Sequence, residues 1–123
     1  MSPIIIINKR RHLKKKIENF IETMYKYADM YPEVTSLDVY NTDVKTTVEI
    51  LNKLKERIDM GDDLQPIEAR FQAIVNAWRA KYTDPPQLWR IRALDKIQKL
   101  KNNLPQIDSS EIDDIIDRTF SEE

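Results

Sequence analysis

The sequence predicts an all-α fold: a compact four-to-five-helix bundle with short loops and an acidic C-terminal helix. Apolar residues recur every three or four positions through four long segments, the spacing of a helix that buries one face. A single glycine and 33% charged residues fit a helical, highly charged chain. Most of the prolines and the lone glycine fall at the edges of those segments, where helices begin and end. At 123 residues the chain is long enough for one domain with one core.

Residues 1–8 open with Pro3 and four consecutive isoleucines. This run is too short and wrongly flanked for a signal peptide, because its basic residues follow the apolar stretch. With no second strand evident to pair with it, it reads as an apolar strap across a bundle of residues 9–104. The first helix is expected over residues 9–31, its face formed by Ile17, Phe20, Ile21, Met24, Ala28 and Tyr31. Pro32 should end it. Residues 33–40 read as a loop with one loose turn. Asn41 or Thr42 then caps a second helix over residues 43–59, with Asp43 at its positive end. Val44, Val48, Leu51, Leu54 and Ile58 form its apolar face, and Gly61 stands where a left-handed residue ends a helix.

A third helix starts at Pro66, carries Ile67, Phe71, Ile74, Val75 and Trp78, and ends near Tyr82. Asp84, Pro85 and Pro86 introduce a fourth, with Leu88, Ile91, Leu94, Ile97 and Leu100, stopped by Pro105. Residues 105–123 form the acidic C-terminal part. There Asp108-Ser109-Ser110-Glu111 suits a capping box ahead of a short helix over residues 111–120.

The net charge of −1 conceals a strong asymmetry. Lys9, Arg10, Arg11, Lys14, Lys15 and Lys16 form a run without an acid. Seven basic and two acidic residues lie between Arg79 and Lys101, and seven acids face only Arg118 from Asp108 onward. Basic faces and an acidic tail therefore coexist, and the overall charge says little about partners. No stretch approaches the roughly 20 apolar residues of a membrane span, so no membrane partner is expected. The absence of cysteine excludes disulfides and thiolate metal sites, and suits an intracellular, reducing setting.

Enzymatic chemistry finds little footing. One glycine excludes the common phosphate-binding and nucleophile-elbow motifs. His12, the only histidine, has cations rather than carboxylates as immediate neighbours. Asp62-Asp63 and Asp113-Asp114 are adjacent pairs whose side chains diverge on a helix, matching neither calcium-loop nor carboxylate-bundle spacing. No metal, no cofactor and no catalytic residue is expected.

The segment from Val75 to Leu100, VNAWRAKYTDPPQLWRIRALDKIQKL, joins a helix with Val75, Trp78 and a basic end to a second basic helix through a short polar loop. With TTVEILNKLKER at residues 46–57, it resembles the TFIIS N-terminal domain family over about residues 10–103. The resemblance implies a non-enzymatic protein-interaction module of transcription or chromatin recruitment, nuclear in location. In the family's integrase-binding branch, short linear motifs dock at two interhelical loops on one bundle end. By position those loops are residues 39–43 and 82–84. The implied peptide-binding residues are Val39, Tyr40, Asn41, Asp43, Trp78, Tyr82 and Thr83, with Val39 and Tyr82 receiving apolar anchors. The bland alternative is that Tyr40 and Tyr82 simply close the bundle end.

The rival reading is a small nucleic-acid-binding or assembly protein of viral, phage or mobile-element type. Lys9, Arg10, Arg11, Lys14, Lys15 and Lys16 would neutralise phosphates. Trp89, with Arg90 and Arg92 beside it, would stack on a base. A solvated charged face is the plain alternative, and a homodimer burying the first helix's tyrosines is compatible with either reading. The tail combines Ile112, Ile115, Ile116 and Phe120 with acids, a pattern that folds onto a groove, either its own bundle's or a partner's.

Overall fold

Pro32 and Gly61 divide this chain where expected, but tertiary contacts move several helix starts. The computed structural model describes residues 3–103 and 116–117, with side chains at residues 8–102 and 116–117. Among the described residues the fold is all-α, with helices α1 (Pro3–Met30), α2 (Pro32–Thr35), α3 (Asp38–Asp59), α4 (Leu64–Lys81) and α5 (Leu88–Asn103). α1, α3 and α4 pack on one another, and α5 packs chiefly on α3. Ile17, Met24, Leu51 and Ile91 are fully buried at the centre of a core that also holds Phe20, Phe71 and Trp78.

The expected apolar strap is corrected: residues 3–8 are the first turns of α1. Proline is at home in a first helical turn, and isoleucine costs a helix little, so nothing local interrupts the ladder before Tyr31. The apolar face of α1 is anchored by Leu13 and Tyr27 as well as Ile17, Phe20 and Met24.

The expected loop at residues 33–40 is also corrected. Pro32 breaks α1 yet sits at the start of α2, whose Val34 is buried. α3 then begins at Asp38, so neither Asn41 nor Thr42 caps it. Its N-cap position is Leu37, in extended backbone and without a side-chain cap. The missing acceptor comes from α5, where the buried Asp95 carboxylate takes the Val39 N–H at 2.9 Å. A cap supplied from 56 residues away leaves no local signature.

α4 starts two residues before Pro66, with Asp63 accepting the Gln65 N–H at 3.3 Å, so Pro66 lies in the first turn rather than opening the helix. Gly61 adopts φ 87, the left-handed conformation assigned to it. The fourth predicted helix begins at Leu88, where the Gln87 carbonyl accepts the N–H groups of Arg90 and Ile91. Ile116 and Asp117 are helical. The expected stop at Pro105 and the rest of the predicted helix at 111–120 lie outside the described residues.

Candidate functional site

α1 and α4 end, and α3 begins, at the same end of the bundle, and each brings aromatic rings there. Helical spacing puts Tyr27 beside Tyr31 and Trp78 beside Tyr82, each pair four residues apart. The ring centroids of Trp78 and Tyr82 are 4.4 Å apart, those of Tyr40 and Tyr82 5.1 Å, and those of Tyr27 and Tyr40 5.9 Å. Phe20 continues the series edge-on to Trp78 at 6.4 Å and Phe71 at 6.1 Å.

Each hydroxyl in this cluster is spoken for. Tyr40 donates to the Met24 carbonyl at 2.6 Å, Tyr27 to the Thr83 carbonyl at 2.9 Å, and Tyr82 to Asp43 Oδ2 at 2.5 Å. Tyr31 donates to Asp84, and Lys81 pairs with Asp43 beside Tyr82. Burial pushes the Tyr27 phenol up to about 12, with the Asp84 and Glu33 charges adding to it. Burial likewise raises Tyr40 to about 12, and it raises Tyr82 further still with help from the Asp43 hydrogen bond. These phenols are neutral and hydrogen-bonded at pH 7.

Next to the cluster, α1 and α4 leave a groove of about 500 Å³. Edges of Phe20, Tyr27 and Trp78 supply its apolar lining, and Met30, 59% exposed, forms an apolar wall. Lys26 and Arg79 stand on its rim, with Asp84 at the loop end. The groove runs on into a shallower hollow that shares Phe20, Thr23 and Arg79 and adds Lys16, Phe71 and Val75. Lys16, Lys26 and Arg79 are exposed and form no ion pair among the described residues. The site is therefore apolar at its floor and cationic at its edge.

The residues expected to bind a peptide are brought together, but several point inward. Residues 39–43 lie beside residues 82–83 through the Tyr82–Asp43 bond and the Tyr40–Tyr82 ring contact. However, Val39 and Tyr82 are each only 3% exposed, and Tyr40 is as deeply buried, so none is a loop-tip receiver for an anchor. The physical reason is that residues 39–43 are helical, which turns Val39 and Tyr40 into the core. Asn41 is exposed and donates to the Thr35 and Leu37 carbonyls, tying α2 to the start of α3. Thr83 Oγ1 donates to the Pro85 carbonyl at 2.8 Å. Only Trp78, Tyr82 and Thr83 of the expected set line the groove. Phe20, Lys26, Tyr27, Met30 and Arg79 were not foreseen, although Tyr27 and Met30 continue the apolar spacing of the first helix beyond Phe20 and Met24.

The basic run divides into two groups. Arg10 donates to the Ile58 and Gly61 carbonyls at 3.1 and 3.0 Å, and Lys14 pairs with Asp59 at 3.0 Å, so both finish the end of α3. Lys9, Arg11, Lys15 and Lys16 remain exposed, with His12 among them. Trp89 and Arg92 are exposed on α5, and Arg90 is half-buried. Among the described residues no helix is long and apolar enough to cross a membrane, and no cluster of three histidine, aspartate or glutamate side chains could hold a metal. No family model, no curated protein and no solved structure matches this chain.

Proposed function

We propose that this protein is a non-enzymatic interaction module that docks short acidic/hydrophobic segments in the groove between α1 and α4. The observation that carries this reading is an apolar groove of ligand-pocket size bordered by three cations with no ion pair among the described residues. Apolar anchors of the incoming segment would leave water against Phe20, Met30 and Trp78, and a few such anchors carry most of the energy of an interface. Acidic residues beside them would meet Lys16, Lys26 and Arg79, which speeds encounter and fixes orientation more than it adds affinity. An amphipathic helix is the shape that suits a groove bounded by two helices. The TFIIS N-terminal-type resemblance points to recruitment in transcription or chromatin as the setting.

Selection of random 16-residue peptides against the full chain tests this. The expected enrichment is for Asp or Glu combined with Phe, Leu or Ile. Met30→Asp should weaken the selected peptides by about tenfold or more, the effect of losing one anchor contact of about 1.4 kcal/mol. Arg79→Glu should weaken them with a marked dependence on salt. Both positions are exposed, so the fold should survive. Val39→Asp or Tyr82→Asp, by contrast, would bury a charge and unfold the bundle end. Retained affinity in Met30→Asp would refute the groove.

A second reading, nucleic-acid binding, rests on the exposed Lys9, Arg11, Lys15 and Lys16 of α1. It would gain ground if single-stranded nucleic acid bound the protein, Arg11→Glu/Lys15→Glu abolished that binding, and Met30→Asp left it intact.

A further inference from the structure

The residues of α5 that reach α3 share one face. Asp95 accepts the Val39 N–H, Gln98 Nε2 donates to Thr42 Oγ1 at 3.0 Å, and fully buried Ile91 joins the core on the same side. With about 100° of rotation per residue, Ala93 and Ile97 each lie about 200° round the helix from Asp95, turned away from α3. Both are nevertheless buried, at 3% and 7% exposed, and both stand outside the core cluster. Neighbours on one helix can shade an alanine, but not an isoleucine to this extent. Leu100, half-buried, extends the same outer strip. Arg92 and Lys96 flank it on one side and Lys101 on the other, all exposed and without an ion pair among the described residues.

We propose that the acidic segment 111–120 docks as an amphipathic helix along this outer face of α5. Its chemistry is the complement of the surface: Ile112, Ile115, Ile116 and Phe120 at helical spacing, bordered by Asp113, Asp114 and Asp117. Ile116 and Asp117 are helical. Seven residues, 104–110, separate α5 from the segment in the sequence, a length within the range that joins antiparallel helices. The acids then lie against Arg92, Lys96 and Lys101. The α1–α4 groove has similar chemistry, but Met30 there is 59% exposed and its rim cations are open, whereas Ile97 is already covered. That difference selects α5 for the tail and leaves the groove open to a partner. This inference is independent of the groove reading and survives its failure.

The chain has no cysteine, so single labels can be placed cleanly. A nitroxide on Arg92→Cys, in the full chain, should broaden the backbone amide signals of residues 112–120. A nitroxide on Lys26→Cys, at the groove, should leave them sharp. Ile112→Asp/Ile116→Asp should abolish the effect of the Arg92 label without unfolding α1–α4. Broadening from Lys26 instead would place the tail in the groove, and broadening from neither would mean that it is undocked. Broadening of isotope-labelled protein by a separately spin-labelled copy would assign the tail to a second molecule. Each of these three results overturns the proposal.

Discussion

The two ends of α3 are finished by side chains from other helices, and they are finished differently. At its start, Asp95 of α5 takes the Val39 N–H from within the protein, next in sequence to Tyr40 of the aromatic cluster with Trp78 and Tyr82. At its end, Arg10 of α1 reaches the Ile58 and Gly61 carbonyls at the surface, with Lys14 on Asp59 beside it. Both placements complement the helix dipole, an anion at the N-terminus and cations at the C-terminus. The difference is solvent. A buried cap leaves an unsatisfied polar group when removed, whereas an exposed one is replaced by water. The aromatic end should therefore be the fragile one, and mutation should show a graded asymmetry between the two.

Trp78→Ala should have the largest effect, because it empties the centre of the aromatic end. A loss of about 3–5 kcal/mol is expected in denaturant unfolding, the usual cost of truncating a buried large aromatic. Alkali attacks the same end. Tyr27 and Tyr40 are raised to about 12 in the folded chain against 10 when unfolded, so the folded state favours their neutral forms. Their stabilising contribution is complete below pH 10 and is lost as pH rises from there toward 12. An alkaline titration followed by circular dichroism and phenolate absorbance should show the two changes together; full phenolate formation without loss of structure would show the hydroxyls to be accessible.

Asp95→Ala should cost about 1–3 kcal/mol, with amide exchange accelerating first at Val39 and its neighbours. Arg10→Ala should cost less, about 0.5–1 kcal/mol, and the difference from wild type should shrink at high salt. Lys14→Ala breaks an exposed pair and should fall at about 0–1 kcal/mol, near the limit of detection. If Arg10→Ala proved as damaging as Asp95→Ala, burial would not be what distinguishes the two ends.

Much of the architecture was legible in the sequence because it follows from periodicity. Ile17, Met24, Leu51, Leu54, Ile58, Ile67, Phe71, Val75 and Ile91 were placed on apolar faces by spacing alone, and all are buried. Gly61 was assigned its left-handed turn by residue type alone. What failed was information held in contacts distant in sequence. The start of α3 depends on Asp95, and no local rule connects the two positions. Residues 36–40, with Ser36, Val39 and a weak cap sequence, look like a loop until α5 is laid across them. Likewise Met30 and Arg79 become one site only when α1 and α4 end together. Loop position suggested that Val39 and Tyr82 were receivers, whereas Val39 is buried in the core and Tyr82, equally buried, only edges the groove.

The most direct test of the central claim is chemical-shift mapping of the isotope-labelled full chain with a selected acidic/hydrophobic peptide. Saturable shifts concentrated at Thr23, Lys26, Met30 and Arg79 are expected, absent in Met30→Asp, with Arg11 and Lys15 undisturbed. Shifts centred on Arg11 and Lys15, or shifts that persist unchanged in Met30→Asp, would contradict it.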